Sequence, residues 1–269
     1  MILPFRSILH PTDFSTLSTA AFVHALRIAL ASRCKLYLLH VTQDGSYEAA
    51  FPQVQRLLVQ WGLLEEDDPP AAVSAKLGLD IENVTLDRQE PVEGILHFLS
   101  QHVCELVVLA THGRDGLDHW LKGSVAETVF SRSDISTLFV PRGTRGFVDQ
   151  VSGDLRLRHA LVPVDHSPVP YRAIKAARNL SALLAGADAK VDLLHVGRNM
   201  PSFRGSADPI TLRYGNVVQT ILDAAIEYDS DFICMATAGH HGMLDALRGS
   251  TTERVLRHAP CPVLAIPVA

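Results

Sequence analysis

Two segments of the chain carry a glycine, nine further residues and then Gly-Ser: Gly113 to Gly123-Ser124 within ATHGRDGLDHWLKGS, and Gly239 to Gly249-Ser250 within ATAGHHGMLDALRGS. Glycine lets backbone N–H groups come close to a phosphate. Ser124 and Ser250 each open a helical pattern whose positive end and free amides favour an anion. Capping is the competing account, because Ser124-x-x-Glu127 and Ser250-x-x-Glu253 are capping boxes, which stabilise a helix start without any ligand. Capping accounts for Ser and Glu but requires neither the preceding glycine nor the repeated spacing, so the two loops read first as phosphate-binding.

Asp13 and Asp165 recur in Pro-x-Asp-x-Ser, at the end of an apolar strand-like run in each case. Each carboxylate either binds a ligand or helps to begin a helix, particularly as Pro168 follows Ser167. Arg114, Lys122 and Arg248 could neutralise phosphate charge or be solvated loop cations. His112, His119, His166, His240 and His241 contain no i, i+4 pair and adjoin no cysteine cluster, so no metal site is assigned. His40 and His195 close strand-like runs and read as hydrogen-bonded structural residues. No G-x-x-x-x-G-K-[ST], G-x-S-x-G or H-E-x-x-H occurs, and Asp115 and Asp118 are the only carboxylates near the first loop. No catalytic residue is assigned.

The elements that must position these residues come as a repeat. SILHPTDFS matches HALVPVDHS, KLYLLHV matches KVDLLHV, and the two glycine loops match in the same order. The second copy is shorter after its second strand. There the first copy has Val54, Leu57, Leu58 and Trp61 at helical spacing, followed by EEDDPP, whereas the second has GRNMPSFRGSADP, a loop composition. Strand-like runs alternating with helical patterns argue for parallel βαβ units, five strands per copy. Expected helices begin at Ser15, at Pro91 with the stripe Val92, Ile95, Leu96, Leu99 and Val103, and at Asn216. The division predicted is 1–142, a Gly-rich polar linker 143–157, and 158–269.

With 269 residues, 47% hydrophobic and 20% charged, the chain is long enough for two cores and too apolar for disorder. A formal charge of −5 offers no global attraction to nucleic acid or anionic lipid. Neither a signal peptide nor a membrane-spanning run is found, and Cys34, Cys104, Cys234 and Cys261 are too dispersed for a C-x-x-C site. Buried reduced thiols and a cytoplasmic location are the expectation.

In an open parallel sheet, ligands bind beyond the carboxyl ends of the strands. Asp13, Val41 and the loop from Ala110 to Ser124 converge there, as do Asp165, Val196 and the loop from Ala236. On these motifs the chain resembles a tandem of two universal stress protein A type domains, whose nucleotide-binding branch carries Gly-x-x-Gly-x(9)-Gly-Ser/Thr. The resemblance implies two Rossmann-like α/β domains of the adenine nucleotide alpha hydrolase-like kind, each a five-stranded parallel sheet of order 3-2-1-4-5 with helices on both faces. It implies ATP or ADP as ligand, with magnesium. Asp13 is then placed at ribose or adenine and the Val41 backbone at adenine, with Gly113, Gly123, Ser124 and Val125 at the phosphates; Ala110, His112 and Arg114 complete the site. Asp165, Val196, Ala236, Gly239, Gly249, Ser250 and Thr251 take these places in the second copy. Ala110 and Ala236 stand where the motif has its first glycine, which lowers the expected affinity. Ala238 replaces His112, so the first site is expected to be the stronger. The implied function is nucleotide-dependent regulation in the stress response with at most slow ATP hydrolysis. The alternatives are an interaction module with degenerate pockets and a weak ATPase. The resemblance also implies that TLFVP and VLAIPV pair the two domains about a pseudo-twofold axis, and leaves homodimerisation open.

Overall fold

The computed structural model describes residues 4–42, 51–111, 124–201, 208–238 and 251–268. The first half supplies strands β1 (Ser7–Pro11), β2 (Lys35–Thr42), β3 (Asp80–Asp87), β4 (Leu106–Thr111) and β5 (Thr137–Pro141). The second supplies β6 (His159–Pro163), β7 (Lys190–Val196), β8 (Ile210–Arg213), β9 (Phe232–Ala238) and β10 (Val263–Val268). They form one sheet in the order β3-β2-β1-β4-β5-β10-β9-β6-β7-β8. Every pairing inside a half is parallel, and each half has the order 3-2-1-4-5 of a Rossmann-like fold. Among the described strands only β5 and β10 pair antiparallel, with Val263 opposite Phe139 and Leu264 opposite Leu138. That pairing covers an edge that each half would otherwise expose, leaving the partly exposed β3 and β8 at the sheet's outer edges.

Strand alternation sorts the core into two layers. Ile8, Leu36, Leu38, Leu106 and Val108 point to one face. They pack there with α1 (Thr16–Ser32), α2 (Val54–Gln60), α3 (Ala72–Leu77) and α6 (Tyr171–Ala185). Leu9, Tyr37, Leu39, Val107 and Leu109 point to the other, against α4 (Pro91–Gln101), α5 (Val125–Ser133), α7 (Val217–Glu227) and α8 (Thr251–His258). The helices change face once in each half, at the connection from β3 to β4 and from β8 to β9 where the strand order reverses, as right-handed crossovers in a doubly wound sheet require.

The helix starts bear the marks of their sequence. Ser15 caps α1 by accepting the Ser18 N–H, Pro91 is the first residue of α4, and Asn216 caps α7 by accepting the Gln219 N–H. One helical expectation needs correction, and one alternative reading of Asp165 and Ser167 falls. In α4 the buried face is Gly94, Ile95 and Phe98, while Val103 lies beyond the helix end at 84% exposure; its carbonyl accepts from the Ser7 hydroxyl. In the second half α6 begins at Tyr171 behind Pro170, without a side-chain cap, so Ser167 does not start it. The short α3, preceded by Pro69 and Pro70, has too few apolar positions to show a period.

The segment between β5 and β6 is packed despite its glycine-rich composition. Phe147 is fully buried, Val148 and Leu157 nearly so, and Val148 and Leu155 form an isolated antiparallel bridge. The Phe147 N–H donates to His24 Nε2 of α1 at 3.1 Å, and its ring meets His24 and Phe232 edge-on. Arg145 pairs with Asp229 and Asp231 in the second half, while the Gln60 carboxamide of α2 donates to the Val151 carbonyl. The segment is thus a strap laid across both halves. Gly153, at φ +72°, passes so close to Trp61 that a β-carbon would sit 2.3 Å from the indole.

Candidate functional site

In the first half, the carboxyl ends of β1, β2 and β4 open onto a cleft of about 580 Å3. Asp13 and Ser15 come from the β1–α1 turn, Val41 from β2, Ala110 and Thr111 from β4, and Ser124 and Val125 from the start of α5. Leu39, Leu109 and Ile95 form its apolar wall. Five expected site residues, Asp13, Val41, Ala110, Ser124 and Val125, therefore meet in one place. His112, Gly113, Arg114 and Gly123 lie outside the described residues.

The second half repeats the arrangement at smaller scale. Asp165, Val196, Ala236 and Thr251 line a cavity of about 220 Å3 with Pro163, Met235 and Ile221. Gly239, Gly249 and Ser250 lie outside the described residues, as do His240 and His241.

Local bonding fixes the β1–α1 turn. Asp13 Oδ1 accepts the Ser15 N–H at 3.0 Å, an Asx turn one residue before the α1 helix. Burial pushes the Asp13 carboxyl up, but the bonds from Ser15 and from its own amide outweigh it and hold the group below the usual carboxylate range. It faces the cleft as an anion able to accept hydrogen bonds from ligand hydroxyl or amino groups. Beneath it runs a buried chain: His10 Nδ1 donates to the Val108 carbonyl, His10 Nε2 meets Ser18 Oγ, Ser18 Oγ meets Thr12 Oγ1, and Thr12 Oγ1 accepts the Phe14 N–H. His40 and His195 occupy matching places, each donating from Nδ1 at 2.9 Å to a carbonyl of the turn after the first strand, Thr12 in one half and Val164 in the other. In the second half Asp165 Oδ1 accepts the His166 N–H and lies 3.8 Å from His195 Nδ1.

At the far end of the first cleft, Ser124 Oγ accepts the Glu127 N–H at 3.2 Å, so the capping role is realised. The preceding amides of the first turn, Val125 and Ala126, have no intrahelical acceptor by geometry, and both residues line the cleft. A helix start with free amides and its positive dipole end is a site for an anion. Among the described residues Thr111 Oγ1, buried at the cleft wall, has no hydrogen-bond partner, whereas its counterpart Thr237 donates to the Ile266 carbonyl. An orphaned buried hydroxyl costs roughly 1–3 kcal/mol unless something completes it. A polar anionic ligand fits this set of groups.

Sequence reading missed Thr12, Thr111, Ile95 and Gly94. Gly94 allows α4 to lie directly on β2: a β-carbon there would come within 2.7 Å of Val41 Cγ1. An isolated glycine inside an apolar helical stripe was the available signal. Among the described residues no group of three or more His, Cys, Asp or Glu gathers as a metal site, and no helix is long and apolar enough to cross a membrane. All four cysteines are free and buried, and burial raises the Cys34 and Cys104 thiols to about 12.

The universal stress protein family model matches residues 4–141 and 202–267. A universal stress protein of Methanocaldococcus jannaschii is 27% identical over 143 residues, 51% of this chain and 83% of its own length. Two solved structures share the fold along both halves. A functionally unknown protein of Pseudomonas aeruginosa has TM-score 0.65 and 16% identity, covering 98% of this chain and 93% of that one. A universal stress protein of Archaeoglobus fulgidus has TM-score 0.63 and 20% identity, covering 97% and 98%.

Proposed function

The chain belongs to the universal stress protein family, as two family units in tandem, and from that premise we propose that it binds an adenine nucleotide, ATP or ADP with magnesium, in the first-half cleft. The observation that carries this reading is the convergence on one cleft of an ionised Asp13, an orphaned Thr111 hydroxyl and the free amides of the α5 start. Asp13 accepts from the ribose hydroxyls or the adenine amino group. The apolar wall of Leu39, Val41, Ile95 and Leu109 takes the flat base. Ser124, Val125 and the glycine loop with His112, Gly113, Arg114 and Gly123 take the phosphates. Bound with the nucleotide, magnesium would supply neutralisation of the phosphate charge.

In this reading the nucleotide acts as a regulator of conformation or assembly, with at most slow hydrolysis. The second cleft, built on Asp165, Val196, Ala236, Gly239, Gly249, Ser250 and Thr251, is the weaker site, consistent with its volume of about 220 Å3. The β5–β10 pairing supports the two units acting as an intramolecular pseudo-dimer, with domains 1–142 and 158–269 joined through 143–157.

The test is to denature purified protein and identify and count the small molecules released. About one ATP or ADP per chain supports a single dominant site, and two supports both clefts. No nucleotide, together with no thermal shift in millimolar ATP and magnesium, overturns the reading. Saturation at 100 times Kd contributes about 2.7 kcal/mol, a shift of roughly 5 to 10 °C. A second reading, an interaction module with degenerate pockets, is favoured by Ala110 and Ala236 in place of motif glycines, and the same null result would support it.

A further inference from the structure

The first half contains a second cavity, of about 470 Å3, with no equivalent of its α2 wall in the shorter second copy. It lies on the α1 and α2 side of the β1–α1 turn: Thr12, Ser15 and Ser18 line both cavities, but none of the α4 and α5 residues that line the nucleotide cleft reaches this one. Its floor is apolar and partly aromatic: Phe14, Phe22, Val23 and Leu57. Its rim carries three carboxamides, Gln53, Gln60 and Gln150, the last contributed by the strap. Among the described residues its only charged lining group is Arg56.

Among the described residues Arg56 has no carboxylate or other hydrogen-bond partner; Glu66 shares an outer groove with it but forms no ion pair. A guanidinium at the rim of an apolar chamber, with amides beside it, matches a ligand that ends in an anion and is flat and apolar behind it. Phe14, the residue between the two cavities, holds φ +60°, an uncommon state for a bulky side chain. It is kept there by the Phe51 ring at 5.3 Å and the His40 ring at 4.4 Å. Its ring thereby presents an aromatic surface to the cavity in place of a closed core contact.

We propose that the cavity between α1, α2 and the strap is a separate binding site for a small aromatic carboxylate, with Arg56 pairing the carboxylate and Phe14, Phe22 and Leu57 holding the ring. The site does not depend on the nucleotide reading, because its charged anchor and its floor are not part of the cleft.

The test is calorimetric titration of the full chain, without nucleotide, with indole-3-acetate as probe and indole-3-acetamide as its uncharged counterpart. Saturable binding of the acid, about tenfold tighter than the amide, is expected from a charge-assisted pair. The variant Arg56→Gln, at an exposed position, should bind acid and amide alike. Thr19→Trp, on the exposed face of α1 at the cavity mouth, should abolish both while leaving Arg56 in place. No saturable binding of the acid at millimolar concentration overturns the proposal, as does equal affinity for acid and amide in the unaltered protein. Displacement of the probe by ATP with magnesium overturns it in another way, by showing that the cavity is an extension of the cleft.

Discussion

His10 and His24 should make stability fall steeply between pH 7 and pH 5. Both rings are buried, and burial pushes each down from the usual 6.5 to about 4. For His24 the hydrogen bonding requires the neutral ring: Nδ1 donates to the Ala20 carbonyl, and Nε2 accepts the Phe147 N–H of the strap. A proton on Nε2 would set two N–H groups against each other. A lowered histidine pKa means that the unfolded chain binds the proton first, so the stabilisation is complete above about 6.5 and is lost as pH falls from there toward 4. With those two values, each histidine costs about 2 kcal/mol at pH 5, roughly 4 kcal/mol for the pair. Carboxylates such as Asp13 and Asp192, held low by their hydrogen bonds, add their losses in more acid solution. Urea unfolding followed by circular dichroism at pH 7, 6 and 5 measures the fall. His24→Gln keeps an oxygen acceptor for Phe147 but no titrating group, so its fall between pH 7 and 5 should be about 2 kcal/mol smaller. A variant as pH-sensitive as the parent would refute the argument.

Phe147→Ala, at a fully buried position touching α1 and Phe232, should cost roughly 3–5 kcal/mol in the same urea experiment; a loss under 1 kcal/mol would return the strap to the status of a loose linker. Gly94→Ala should drive a β-carbon into Val41, lowering stability by about 1–3 kcal/mol and weakening nucleotide affinity in a titration, since Val41 lines the cleft. Ser124→Ala should remove a helix cap worth about 1 kcal/mol and weaken ATP binding as well; lower thermal stability with unchanged ATP affinity would assign Ser124 to capping alone. The four buried thiols should react with Ellman's reagent only after denaturant is added, and rapid labelling of the native protein would contradict their burial.

The repeat made the architecture legible. Duplicated strand runs ending in Pro-x-Asp-x-Ser and in His-Val place the first two strands of each half, and parallel order follows from the helical patterns between them. Burial on both faces explains why those strands read as unbroken apolar runs, and why their pairing order came from the family resemblance and not from alternation. The site was legible where chemistry and spacing coincide, at Asp13, Val41 and Ser124. It was not legible where the requirement is an absence of volume or of a partner. Gly94 matters because α4 must touch Val41, and Thr111 because no described group completes its hydroxyl; neither condition has a local pattern. Phe147 was hidden in a polar, glycine-rich stretch, because one aromatic residue has no periodicity to betray it.

Comparison of the halves shows what the duplication left free to change. The histidine that closes the second strand ties down the turn after the first strand in both, through His40 and His195, so that contact belongs to the shared frame. The buried chain from His10 through Ser18 to Thr12 belongs to the first half alone, for the position matching His10 is Val162. Thr111 is left open toward its cleft, while Thr237 is satisfied internally. Among the described residues, the buried polar chain and the unpartnered threonine hydroxyl at a cleft therefore both lie in the first half. The second half keeps the same strand order around a smaller cavity with its threonine closed off, and contributes β10 to cover β5. The strap, anchored on His24 in one and on Asp231 in the other, gives the two a direct mechanical connection.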